Sequence, residues 1–343
     1  MSDRTAAPTP AAVAPQGPWD RCRHRRGDER WIDDAWRRAR VLVIDVSGGG
    51  DVLFRDSDRP DTDGASATLP LMDSAEAPPG ERLFLGTIGG TPVFAVVAPL
   101  PAVPGTGTGN LRGIGHRLSE TEAALLTAAT ALRNWHAAAG YSPATGAVTR
   151  PVMGGWARAD DSGTLVRPRV DPAVLVLVHD GGSGPDGRCL LAHRAPGTMV
   201  AGTRQFSSVA GFVEPGESPE QAAAREVAEE IGVTLTGLRY AGSQAWPYPG
   251  CLMLGFRALA DPREPIRTDP TEIAAAGWFT RRQIAEALAG APVETVAGGL
   301  LALPPRASLA WSLLADWAGG PAGWSAGRSA PTWRRPAADE GQG

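Results

Sequence analysis

The chain has 343 residues, with 33 basic and 37 acidic side chains and a net charge of −4. That length suits two modest domains, and the mild acidity excludes a general pull toward nucleic acid or an anionic membrane. No lysine occurs, so any grip on phosphate falls to arginine, backbone N–H groups or a metal ion.

The first 18 residues and those from 319 are rich in Ala, Pro and Gly with little to bury, which predicts disordered ends. The N-terminus has no apolar core of signal-peptide type, and no apolar run approaches bilayer length. Cys22, Cys189 and Cys251 are scattered and odd in number, which fits a reducing compartment. A cytoplasmic protein without membrane contact is the expectation. The basic cluster "RCRHRRGDER" reads as a solvated part of the leading tail, taken as residues 1–29.

A helix from Arg30 leads into "VLVIDV", a glycine turn and "DVLF", and "RLFLG" and "PVFAVVA" repeat the strand pattern. "LSETEAALLTAATALRNWHAAAG" is a predicted helix, with Ser119 and Glu122 as a capping box and Gly140 as its stop. A small β-rich domain therefore spans 30–137. It shows no catalytic constellation, and His136 reads as a packing residue. A linker over 138–170 precedes the second domain, at 171–318. This opens with "DPAVLVLVHD", an unbroken apolar run of strand length, followed by further strands and two later helices. The predicted fold class is α+β, with a C-terminal α/β/α sandwich.

"ESPEQAAAREVAEEIG" carries the chemistry. Ser218 is set to N-cap, Pro219 suits the first turn, Gln221 completes the box and Gly232 ends the helix. Glu226, Glu229 and Glu230 then share one face, where like charges oppose helix formation by about 0.2–0.5 kcal/mol per pair. A solvated face usually mixes signs; here only Arg225 offsets the acid. A divalent cation bound through oxygen removes the penalty.

Gly211, Glu217, Arg225, Glu226, Val227, Glu229, Glu230, Gly232 and Val233 fall at the spacing G-x5-E-x7-R-E-U-x-E-E-x-G-U, with U a bulky apolar residue. This resembles the box of the Nudix hydrolases, complete and without a gap. The resemblance implies the Nudix fold and metal-dependent hydrolysis of a nucleoside diphosphate derivative, with Mg²⁺ or Mn²⁺. By family position, Glu226, Glu229 and Glu230 hold metal, and Glu229 and Glu230 are joint candidates for the base. Arg225 orients the carboxylates, Glu217 supports the loop–helix junction, and Glu272 is a further metal ligand.

"SQAWPYPGC", residues 243–251, resembles the S-Q-P-W-P-F-P-x-S signature of NADH pyrophosphatases, with Ala245, Tyr248 and Cys251 as departures. Gln244, Trp246 and Tyr248 are expected to wall a flat heterocycle, and Phe212 aligns with an aromatic that stacks on adenine. The implied reaction is NAD(H) plus water giving NMN(H) and AMP, in a homodimer, with NAD-capped RNA as a further substrate of some members. The alternatives are ADP-ribose or another dinucleotide, and a nucleotide-sensing module without catalysis.

Family members usually carry a zinc ribbon between the domains. Here Ser142, Thr145, Ala159 and Ser162 stand at the cysteine positions and cannot supply thiolates, so 138–170 is read as a degenerate ribbon without structural zinc. Such a segment would have to rely on packing between the domains. The family's His-Tyr-Pro is Val166-Arg167-Pro168 here, which makes Arg167 the candidate to lie on the base or pair with phosphate.

Overall fold

The structure is a computed structural model that describes residues 19–57, 65–195 and 202–319. The predicted disordered ends at 1–18 and 319–343 lie outside the described residues, except for Gly319, which caps the last helix. The tail boundary at 29 is corrected. Trp19–Asp20 adds an antiparallel edge strand to Glu81–Ile88. Most of the basic cluster is exposed, but two of its arginines cover aromatic rings: the Arg26 guanidinium lies 3.5 Å from the centre of the Trp156 ring, and Arg21 lies 4.6 Å from that of Trp19.

The N-terminal sheet is built on Arg40–Ile44 paired in parallel with Thr91–Val97, flanked by Glu81–Ile88 and Val52–Asp56. Its core side is closed by the helix Glu120–Ala138, whose Leu125, Leu126 and Leu132 pack on Leu42, Leu83 and Leu85. The Ser119 cap forms, but the expected box is only half made: the Glu122 carboxylate accepts from the Ser119 hydroxyl (2.8 Å) and from the N–H of Leu69 (2.8 Å). His136 is buried and donates from Nε2 to the carbonyl of Gly155, a tie between this helix and the linker.

The linker has its own support. Arg150–Val152, Ala157–Ala159 and Leu165–Val166 form a small antiparallel sheet. Beside it, the buried Asp160 accepts hydrogen bonds from the hydroxyls of Thr145 (2.7 Å) and Ser162 (2.5 Å) and from the N–H groups of Ser162 and Thr164 (3.0 Å each). Ser142 joins through the N–H of Thr145. Three of the four cysteine-equivalent residues thus converge, directly or through a neighbour, on one carboxylate. An anion ringed by donors stands where a ribbon would have a cation ringed by thiolates, so interdomain packing is not the segment's sole support.

The C-terminal sheet runs Gly237–Trp246, Cys251–Leu259, Asp171–His179, Arg188–Arg194, Ile273–Thr280, with Val209–Phe212 antiparallel to the first half of the central strand. The central strand pairs in parallel with Cys251–Leu259 along its whole length. Helices explain why its sequence is apolar without alternation. Val174, Val176 and Val178 face the helix Pro219–Ile231 through Ala222, Ala223, Val227 and Ile231. Leu175 and Leu177 face the helices Arg281–Leu288 and Leu309–Ala318 through Ile284, Leu309 and Leu313. The α/β/α sandwich follows.

Candidate active site

The helix Pro219–Ile231 begins and ends as its sequence requires. Ser218 and Gln221 make a reciprocal capping box, and Gly232 closes the helix in the left-handed region at φ 66°. Gly232 also has close company: a Cβ there would lie 2.9 Å from the Cβ of Arg267. That contact lets Arg267 donate its N–H to the carbonyl of Ile231 and Asp269 donate to that of Glu230. The loop bearing Glu272 is thereby fastened to the end of the acidic helix.

Arg225 organises the carboxylates. It grips Glu217 through Nε (2.7 Å) and Nη2 (2.9 Å), reaches Glu226 and Glu229 through Nη1 (2.9 Å each), and binds the carbonyl of Phe212 through Nη2 (2.9 Å). All five N–H donors are engaged. The Arg225 guanidinium and the N–H of Glu214 hold the Glu217 carboxyl at about 2, so it stays charged. Gly211 makes room for this arrangement: a Cβ there would fall 1.9 Å from Cδ of Glu226.

Glu230 is different. Its side chain is 3% exposed, against 62% for Glu229. Burial, with the nearby charges of Glu226 and Glu272, pushes its carboxyl up to about 7 despite the opposing pull of Arg194. Arg194, on the strand Arg188–Arg194, donates to Oε1 of Glu230 (2.7 Å) and to the carbonyl of Ala210. Oε2 of Glu230 is buried without a hydrogen-bond partner. The sequence reading missed Arg194. Its signal was faint, a single arginine in a strand whose pairing had to be known first.

Among the described residues, no three His, Cys, Asp or Glu side chains stand together as a ready metal-ligand group. Two guanidiniums hold the carboxylates instead. The donors nevertheless suit a hard divalent ion: all are oxygens, Glu230 has an unmet buried oxygen, and Gly211 leaves Glu226 its space.

The other expected site residues divide. Phe212 is 56% exposed at the end of its strand, and a surface cavity of about 450 Å³ opens between it and Arg169, Asp171 and Pro215. Arg169 lines that cavity; Arg167 is exposed and does not. Gln244 is corrected to a structural role. It is 5% exposed, its Nε2 donates to the carbonyl of Ala307 (2.7 Å), and its Oε1 accepts from the N–H of Leu309 (2.6 Å). It pins the last helix to the sheet. Tyr248 is corrected likewise, whereas Trp246 beside it stays half-buried. They pack edge to face at 5.2 Å, Tyr248 lies against the N-terminal core, and the Arg112 guanidinium sits 3.9 Å from its ring centre. Asn134 donates to the carbonyl of Pro247 (2.6 Å). In this chain the loop is a joint between the domains.

An α/β/α sandwich carrying this arginine-organised acidic helix defines the Nudix class of hydrolases, enzymes that generally use divalent metal ions. Residues 169–297 match the NUDIX domain, and residues 35–135 match the NADH pyrophosphatase-like rudimentary NUDIX domain. The chain is 42% identical over 311 residues to the NAD-capped RNA hydrolase NudC of Mycobacterium tuberculosis, covering 87% of this chain and 92% of that one. The same figures hold for its namesake in Mycobacterium bovis. Human NAD-capped RNA hydrolase NUDT12 is 36% identical over 214 residues, 59% of this chain and 43% of that one. The chain belongs to the NADH pyrophosphatase group of the Nudix hydrolases and is an NAD diphosphatase-type enzyme. The parallel pair at the centre of each sheet agrees with a rudimentary Nudix domain joined to a complete one.

Proposed function

We propose that the enzyme hydrolyses the pyrophosphate bond of NAD(H), with Glu226, Glu229, Glu230 and Glu272 holding Mg²⁺ or Mn²⁺. The observation that carries this reading is the buried Glu230 carboxylate, flanked by Glu226 and Glu272 and left with one oxygen unmet. Buried like charges are costly unless a cation joins them. When bound, the ion neutralises phosphate charge and lowers the pKa of water.

The chain's own residues do the rest. Arg225 fixes the carboxylate of Glu226 and tethers that of Glu229, while its bond to the carbonyl of Phe212 ties the acidic helix to the base-binding strand. The exposed ring of Phe212 offers a face on which adenine stacks, with Arg169 and Asp171 at the same cavity. Glu229 presents a carboxylate toward solvent, where it accepts the proton of the attacking water. Water adds across the P–O–P bridge, one bridging bond breaks, and NMN(H) and AMP leave.

The two mycobacterial relatives favour a second reading with the same bond broken: the NAD group as the 5′ cap of an RNA. The test incubates NADH, NAD⁺, ADP-ribose and NAD-capped RNA with the enzyme in Mg²⁺ or Mn²⁺ and reads products by mass. NMN(H) and AMP from the free dinucleotide support the first reading, and a much higher kcat/KM on capped RNA moves the assignment to the second. Glu229→Gln is expected to abolish AMP release with an unchanged circular dichroism spectrum. Unchanged turnover in that variant would remove Glu229 from the mechanism.

A further inference from the structure

We propose that Arg194 is the resident counter-ion of the proposed metal site: it holds Glu230 in the metal-free enzyme, yields it to the divalent ion, and then turns to the substrate's pyrophosphate. The inference rests on the metal reading above and assigns a residue that reading did not use.

Arg225 and Arg194 both touch the glutamates, but they are held differently. Arg225 is 23% exposed and spends every donor on the acidic helix and its flanking loop. Arg194 is 55% exposed, binds one oxygen of Glu230 and one backbone carbonyl, and its Nη1 stands 3.9 Å from Glu272, beyond hydrogen-bond range. Glu230 and Glu272 are two of the four proposed ligands, and they come from different elements. Between them stands a guanidinium, a positive charge where the ion's charge is expected.

Arg194 occupies Oε1 of Glu230, and an ion entering at the unmet Oε2 draws on the charge of the same carboxylate and repels the guanidinium. Arrival of the divalent ion weakens the hold of Glu230 on Arg194. The side chain already reaches the carbonyl of Ala210, two residues from Phe212. Released, it carries a planar fork suited to two non-bridging phosphate oxygens. Metal and substrate binding are then linked. The ion frees the arginine, and substrate that captures the arginine strengthens the ion's hold by the same factor.

The test uses the full chain and Arg194→Ala, with Arg204→Ala as a charge control, since the Arg204 guanidinium binds the carbonyl of Gly298 instead. Calorimetry with Mn²⁺ alone, without nucleotide, should show Kd falling about fivefold in Arg194→Ala and unchanged in the control. The melting temperature of Arg194→Ala should fall without metal and return to the wild-type value at saturating Mn²⁺. At saturating Mn²⁺, KM for NADH should rise about tenfold, with kcat changing less. A purely structural arginine would lower the melting temperature equally with and without metal, and that result overturns the proposal. Equal or weaker Mn²⁺ binding by Arg194→Ala overturns it too. If the wild type binds no Mn²⁺, the metal reading itself is at fault and this inference falls with it.

Discussion

Gly211→Ala tests the geometry of the site through a single methyl group. The added Cβ would meet Cδ, Oε1 and Oε2 of Glu226 at 1.9, 2.0 and 2.1 Å, and must reach at least 3.0 Å, so the carboxylate has to retreat by about 1 Å. It cannot retreat freely. Glu226 is 9% exposed and its Oε1 is bound to Nη1 of Arg225 at 2.9 Å. The swing breaks that bond and adds local overpacking, at a cost of about 1–3 kcal/mol. Activity should suffer more, because a displacement of about 1 Å in a catalytic array costs on the order of 10²-fold in rate. Urea unfolding and kcat/KM for NADH at saturating Mn²⁺ measure the two effects separately. In a Glu226→Ala background the same glycine substitution should add almost nothing, since the clashing group is gone. A Gly211→Ala enzyme with kcat/KM within about twofold of wild type would refute the claim that the position of Glu226 matters to the reaction.

Other outcomes follow from the same contacts. Gln244→Ala should lose about 2 kcal/mol of stability by stranding the carbonyl of Ala307 and the N–H of Leu309, while KM for NADH stays the same; a raised KM would return Gln244 to the substrate. Tyr248→Phe should leave stability within about 1 kcal/mol of wild type, because among the described residues the buried hydroxyl has only the Arg112 backbone beside it; a larger loss in urea would show a stronger partner. Asp160→Asn should destabilise the linker. The Ser162 and Thr145 hydroxyls hold the Asp160 carboxyl at about 2, below the unfolded value of about 3.9. Its contribution is therefore full above about pH 4 and lost as pH falls toward 2, so the melting-temperature gap between wild type and variant should close over that range. A gap that persists at low pH would count against the hydrogen-bonded hub. Metal analysis of the purified chain should find no stoichiometric zinc, and about one tightly held zinc per chain would overturn the reading of the linker.

Much of this protein was legible in the row of letters. The acidic helix, its capping box, its left-handed stop and the spacing that identifies the family are all local, set by side chains within a turn or two of one another. So was the apolar run of the central strand, whose length and composition marked it as a strand. Physics at that range does not depend on where the rest of the chain lies.

Where a side chain finds its partner across the fold is another matter. Gln244 looked like a substrate ligand until Ala307 and Leu309, more than sixty residues away, claimed its amide. Tyr248 looked like part of a wall for a base until the N-terminal core took up its ring. Asp160 was an unremarked acid between lost cysteines, and Arg194 one arginine among 33 basic residues. Each role is fixed by which distant donor or charge arrives within about 3 Å, and hydrogen bonds and ion pairs decay too steeply with distance and angle for composition to foretell the match. The sequence determined which chemistry is carried; only the tertiary structure decided which residues face the reaction and which hold the frame.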